Sequence, residues 1–281
     1  MFRDDLLAGK AVLVTGGGSG LGLSMAKKFA ALGARVAITG RSADRLAGAA
    51  QQIDPAGERV FTTPCDVRDF AQVELAIGAV AEKFGGLDVL VNNAAGNFLA
   101  ATEDLTPGGF NAIVQTVLYG TFNATLAAGR VMIEGKKGGS VLNIVTTYAW
   151  TGSSFVVPSA AAKAGVLAMT RSLAVEWAAY GIRSNAIAPG PFPTEGAWNA
   201  LMPTPELEKE ARERIPMKRF GDHDELANLA AFLVSDGAPF INGECVTIDG
   251  GEWIASGGEF NGLTRLPREA VKGALKAMRG K

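Results

Sequence analysis

"AVLVTGGGSGLGLSMAKKFAALG", residues 11–33, decides the fold. Its first five residues are apolar or β-branched, as in a strand covered on both faces. Gly16, Gly20 and Gly22 follow in a G-x-x-x-G-x-G spacing, and "LSMAKKFAALG" then carries apolar residues at helical intervals. A strand, a glycine turn and a helix at the start of the chain form a phosphate-binding unit. Glycines let the backbone turn sharply and approach a pyrophosphate, whose charge is met by amides at the helix N-terminus.

Outward from this unit the pattern repeats. Short runs at 35–39 (RVAIT), 59–63 (RVFTT), 88–92 (DVLVN), 140–146 (SVLNIVT), 183–187 (RSNAI) and 244–248 (ECVTI) alternate with helical stretches such as "FAQVELAIGAVAEKFG". Seven strand-like runs separated by helices predict an α/β fold, a doubly wound parallel sheet with helices on both faces. No repeat or low-complexity linker divides residues 1–281, so a single domain is expected. Residues 191–219, with five prolines and a charged helix-like stretch, read as a cap over a pocket or a surface excursion. Residues 260–281 form a basic C-terminal extension.

Composition removes several function classes. The chain is 48% hydrophobic and 20% charged, with no apolar run long enough to cross a bilayer, and its start has no targeting pattern. No membrane insertion and a cytoplasmic location are expected. With 27 basic and 28 acidic side chains there is no global field to recruit nucleic acid. Cys65 and Cys245 are too few for a thiol-based zinc site or a disulfide framework, and no metal is expected. His223, the single histidine, falls in the first turn of a helix capped by Asp222 and reads as solvent-exposed, which argues against a Ser-His-Asp hydrolase.

The end of the second strand selects the cofactor. Gly40-Arg41-Ser42 lacks the acidic residue that would bind ribose hydroxyls, whereas Arg41 can pair with a 2′-phosphate and Ser42 can donate a hydrogen bond to it. NADP(H) is therefore expected. Asp66 of "CDV" is placed to meet the adenine edge, and "NNAAG" at 92–96 ends the fourth strand at the switch point of the sheet.

In order along residues 8–251, "TGGGSGLG", "CDV", "NNAAG", "SAAAKAGV", "APGP" and "DGG" resemble the short-chain dehydrogenase/reductase superfamily. That resemblance implies a Rossmann-type core, a homotetramer or homodimer, and Lys163 on the nicotinamide ribose. It also implies cofactor contacts at Gly16, Gly18, Ser19, Gly20, Leu21, Gly22, Arg41, Ser42, Asp66, Val67, Asn93, Pro189, Gly190 and Phe192. Of the superfamily's usual catalytic set only Lys163 is kept: Ser159 stands at the tyrosine position, Thr146 at the serine position and Val117 at the helix asparagine. A serine hydroxyl is a far poorer acid than a phenol of pKa ~10, so carbonyl reduction by the standard route is not expected.

Tyr148, just past the fifth strand, and Asn97, just past the fourth, both project from the carboxyl edge, where a phenol and an amide can form an oxyanion hole. "NNAAGNF", "TTYAWTGSSFVVPSAAAKAGV", "INGE" and "GEF" resemble the 2,4-dienoyl-CoA reductase branch. This resemblance implies an acyl-CoA thioester substrate, Tyr148 and Asn97 as donors to its oxygen, hydride delivery to the δ carbon and protonation at the α carbon by water, giving a trans-3-enoyl-CoA. It further implies substrate contacts at Arg68 (a CoA phosphate), Phe98, Thr106 and Ser159, while another family arginine is replaced by Ala200. A trans-2-enoyl-CoA reductase, another short-chain oxidoreductase and a catalytically silent NADP-binding protein remain as alternatives.

Overall fold

The computed structural model describes residues 2–194, 198, 202 and 204–279. Seven strands, β1 (Ala11–Thr15), β2 (Arg35–Gly40), β3 (Val60–Pro64), β4 (Val89–Asn92), β5 (Gly139–Ile144), β6 (Ile182–Pro189) and β7 (Cys245–Ile248), form one parallel sheet in the order β3-β2-β1-β4-β5-β6-β7. Side chains on successive strand residues point to opposite faces. Val12, Val14, Val36, Ile38 and Val91 bury one face together with Met25, Phe29 and Leu226. Leu13, Ala37, Leu90 and Val141 bury the other with Ile77, Val80 and Met132. Helices α1 (Gly20–Ala31) and α2 (Ala43–Ile53) cover the first face. On the second lie α3 (Phe70–Phe84), the helix comprising α4 (Pro107–Val114) and α5 (Gly120–Gly135), and α7 (Val157–Glu176), which follows a four-residue α6 (Tyr148–Thr151). Phe29, fully buried, locks α1 onto the sheet; its truncation to Ala is expected to cost about 3–5 kcal/mol.

The strand order reverses between β1 and β4, whose following connections leave in opposite directions. A crevice therefore opens at their carboxyl tips. Helix starts facing that edge are fixed by polar caps: Ser42 Oγ accepts from the Arg45 amide and Asp69 Oδ1 from the Ala71 amide.

Three expectations are refined. The fifth strand ends at Ile144 rather than Thr146, because the chain turns after Val145 into α6. The charged stretch of the expected cap is a helix, α8 (Pro205–Arg214), capped by Thr204; parts of 191–219, including Ala200, lie outside the described residues. His223 is not a solvated residue: α9 (His223–Val234) packs against α1, and the imidazole bridges Ser24 Oγ (2.8 Å) and the Pro193 carbonyl (2.7 Å). The basic extension contains a further helix, α11 (Arg268–Arg279), with no buried residue, beyond the short α10 (Glu252–Gly257).

Candidate active site

The nucleotide half of the edge is built mainly from backbone. Gly16 has φ +65°, a conformation that side chains disfavour. At Gly22 an added Cβ would lie 2.5 Å from the Gly16 carbonyl oxygen and 2.5 Å from Asn93 Nδ2, so no other residue fits where α1 crosses the turn. Ser19, the residue before α1, makes no side-chain cap, which leaves the first-turn amides at Gly20, Leu21 and Gly22 without an intrahelical acceptor. Asn93 Nδ2 donates to the carbonyls of Thr15 and Gly16, and Thr15 Oγ1 accepts from the amides of Asn93 and Ala94. These bonds tie the tip of β4 to the glycine turn.

A cleft of about 540 Å³ opens there, lined by Gly16, Gly18, Ser19, Arg41, Ser42, Asp66, Val67, Arg68 and Asn93. Arg41 makes no ion pair among the described residues, and the Ser42 hydroxyl, an acceptor toward Arg45, keeps its proton to donate. Arg45 lines the same wall and was missed in the sequence; its signal is the i, i+4 spacing from Arg41 across a helix start. Thr116, in a π-helical turn at Gln115–Tyr119, was missed as well, since such turns have no sequence signature. Free basic groups, free helix amides and a glycine cradle together suit a phosphorylated dinucleotide.

Other expected residues stand differently. Asp66 and Arg68 pair with each other: Arg68 Nε lies 2.9 Å from Asp66 Oδ1, and the guanidinium holds the carboxyl below the usual carboxylate range. Arg68 thus stands in the wall of this cleft with its guanidinium already paired to Asp66. Pro189 and Gly190 stand at the tip of β6; Phe192 is buried in the core, so only its backbone can face a ligand. Thr106 caps α4, its Oγ1 accepting from the Gly109 amide at 3.0 Å.

The second half of the edge is built from side chains. Because β4 and β5 are paired, with Asn92 opposite Asn143, the loops that follow them emerge side by side. Asn97 Oδ1 accepts from the Phe98 amide (3.0 Å), which turns its Nδ2 toward Tyr148, 3.4 Å from the phenol oxygen. Tyr148 Oη in turn lies 3.1 Å from Ser159 Oγ. Ser159, expected at the substrate, is 2% exposed and backs the phenol instead. At 3.4 Å the hydrogen bond from Asn97 Nδ2 to the phenol oxygen is long and therefore weak, so both groups are placed to donate to a third oxygen at little cost. Beneath them Asn92 Nδ2 donates to Thr125 Oγ1 and Asn143 Oδ1, and Asn143 Nδ2 to Thr170 Oγ1, a buried chain that stiffens both strand tips.

Lys163 on α7 donates to the Ile144 carbonyl, and burial pushes its ammonium down to about 8. Val117 is fully buried and offers no polar group at the usual asparagine position. Phe98 and Leu99, next in sequence to Asn97, and Val157, in the first turn of α7, are exposed apolar side chains. The indoles of Trp150 in α6 and Trp253 in α10 stack at 5.1 Å, a contact no local pattern announced.

Comparison with known proteins agrees with this architecture. The family described as Enoyl-(Acyl carrier protein) reductase matches residues 16–252. A Bacillus subtilis protein named "Probable 2,4-dienoyl-CoA reductase [(2E)-enoyl-CoA-producing]" is 47% identical over 246 residues, 87% of this chain and 97% of the relative. A Caenorhabditis elegans protein named "Probable 2,4-dienoyl-CoA reductase 3 [(3E)-enoyl-CoA-producing]" is 44% identical over 256 residues, 90% of this chain and 83% of the relative. Among solved structures, a short chain dehydrogenase from Bacillus anthracis superposes with a TM-score of 0.81 at 45% identity, covering 88% of this chain and 97% of that one.

Proposed function

The chain belongs to the short-chain dehydrogenase/reductase family of nicotinamide-dependent oxidoreductases, and from that premise we propose that it is an NADPH-dependent 2,4-dienoyl-CoA reductase. The observation that carries the reading is the Asn97–Tyr148–Ser159 cluster, a phenol and a carboxamide set side by side away from the lysine's own helix. A carbonyl reductase needs its acid at the atom that receives hydride. A dienoyl thioester does not, because charge introduced at the δ carbon travels through two conjugated double bonds to the carbonyl oxygen.

When bound, the nicotinamide supplies a hydride to the δ carbon. Lys163 and the first-turn amides of α1 hold the dinucleotide, while Arg41, Ser42 and Arg45 meet a 2′-phosphate. Tyr148 and Asn97 donate to the thioester oxygen as negative charge collects there, and Ser159 fixes the phenol's orientation. Electron pairs shift from C4=C5 to C3=C4 and from C2=C3 to the enolate. Collapse of the enolate with a proton taken at C2 from water leaves the 3-enoyl thioester and oxidised cofactor. Each such donor is commonly worth about 3 kcal/mol to the barrier. The exposed apolar side chains of Phe98 and Leu99, which follow Asn97 in the chain, and of Val157, two residues before Ser159, suit contact with an acyl chain.

The names of the two relatives differ in where the product retains its double bond. Protonation at C4 rather than C2 would give the 2-enoyl product, and requires a donor along the acyl chain. With the thioester oxygen held by Tyr148 and Asn97, the dienolate charge is concentrated at the oxygen and the adjacent C2, which supports protonation at C2 and the 3-enoyl product.

The deciding experiment is NADPH oxidation with matched 2,4-dienoyl-, 2-enoyl- and 3-ketoacyl-CoA substrates, followed by NMR of the product. Turnover of the dienoyl thioester alone, with a C3=C4 double bond in the product, is expected. Turnover of the monoenoyl or keto substrate in preference would overturn the assignment, and NADPH binding without turnover of any of them would make the chain a silent binding protein.

A further inference from the structure

Three non-glycine residues among those described have left-handed backbone: Lys136 (φ +52°), Lys218 (φ +57°) and Phe155 (φ +64°). Lys136 terminates α5, where that conformation is an ordinary helix stop. Lys218 lies in a turn whose amide returns to the Ile215 carbonyl. Phe155 is different. It ends no helix, and its conformation is one that bulky side chains avoid unless the surroundings impose it.

The Phe155 carbonyl accepts a hydrogen bond from the Ala100 amide at 2.9 Å. Ala100 stands three residues after Asn97; Phe155 stands between Tyr148 and Ser159. Among the described residues this is the main-chain bond joining the two loops that deliver the oxyanion donors, and both loops are otherwise irregular: residues 93–101 contain no helix or strand, and 152–156 link α6 to α7. The hydrogen bond from Asn97 Nδ2 to Tyr148 Oη is itself long, 3.4 Å, and so a weak constraint on their spacing.

We propose that the Ala100–Phe155 main-chain bond, held by left-handed Phe155, is the staple that sets the distance between Asn97 and Tyr148. Phe155 is therefore a positioning residue whose backbone, not its ring, serves the reaction. The inference rests on the reductase reading for its catalytic consequence, but not for the staple itself.

The test uses three variants of the full chain. Phe155→Val places a β-branched residue where φ must be positive, and is expected to open the staple. Phe155→Gly and Phe155→Asn remove the ring yet accept left-handed backbone. The expected result is a fall of about tenfold in kcat and kcat/KM together for Phe155→Val on 2,4-decadienoyl-CoA, with NADPH affinity unchanged and both rates restored to near wild type in the Gly and Asn variants. Amide hydrogen exchange supplies a second readout: Ala100 is expected to be protected in the wild type and in the Gly and Asn variants, and unprotected in the Val variant. Equal losses of kcat in all three variants, or an unchanged Val variant, would overturn the proposal. So would rapid exchange of Ala100 in the wild type, a result that holds even if Phe155→Val fails to fold. A wild type that reduces no dienoyl-CoA would sink the reductase reading instead, while the exchange data still decide whether the staple exists.

Discussion

The two halves of the carboxyl edge solve their problems with different materials. At the β1–β2 side the ligand-facing groups are mostly amides and missing side chains: Gly16 in left-handed conformation, Gly22 pressed on a carbonyl, the open first turn of α1. At the β4–β5 side the groups are side-chain tips, Asn97, Tyr148 and Ser159, brought together from three segments. Backbone geometry binds many dinucleotides alike. Side-chain tips can be moved a few residues along the chain, and with them the atom of the substrate that is served.

By that division the chemical half can be disabled while the binding half stays intact. Tyr148→Phe removes one proton donor and leaves the ring's packing. Turnover of the dienoyl thioester should fall about a hundredfold or more, while NADPH affinity, measured by fluorescence titration, stays within twofold. An unchanged rate would take Tyr148 out of the mechanism. The converse variant is Arg41→Ala, which touches only the nucleotide wall. NADPH should bind about tenfold more weakly and NADH equally well, with kcat at saturation preserved. Equal weakening of both cofactors would remove the 2′-phosphate assignment.

The same division explains what the sequence could show. All seven strands and the glycine turn were legible because strand–turn–helix units are local: burial on both faces forces continuous apolar runs, and a tight crossing forces Gly22. Asn97 and Tyr148 were reachable through strand order, since the fourth and fifth runs lie side by side in the sheet. The pairing of Asp66 with Arg68, the burial of Ser159 behind the phenol and the bridge from His223 to Ser24 and Pro193 were not legible. Each joins side chains whose meeting depends on rotamers or on distant segments, such as α9 against α1, and no periodicity encodes that.

Trp253 tests whether the chemical half reaches beyond the residues matched by the family. Helix α6 has four residues, too few to hold its own shape in water, and Trp150 within it is stacked on Trp253 from α10. An aromatic pair of this kind is worth about 0.5–1.5 kcal/mol. Trp253→Ala should therefore lower kcat several-fold, with cofactor affinity unchanged and rescue by Trp253→Phe. A variant with wild-type kcat would confine the catalytic support to the sheet's own loops.

The smallest expected effect concerns the residue shared by both halves. Among the described residues, buried Lys163 has only the Ile144 carbonyl as its hydrogen-bond partner, and burial lowers its folded pKa to about 8, whereas a lysine in the unfolded chain titrates at ~10.4. Between these values the unfolded chain holds more protons than the folded one. That contribution therefore raises stability as pH rises from about 8 to ~10.4, and is constant below and above the window. Cys65 acts in the opposite sense, since burial pushes its thiol up to about 11 and the unfolded thiol ionises first. The difference between wild type and Lys163→Met isolates the lysine: relative to the wild type, the cofactor-free variant should lose its advantage in Tm as pH climbs through that window. A difference that stays flat with pH would mean that the ammonium is not desolvated, and that cofactor binding does not have to overcome its burial.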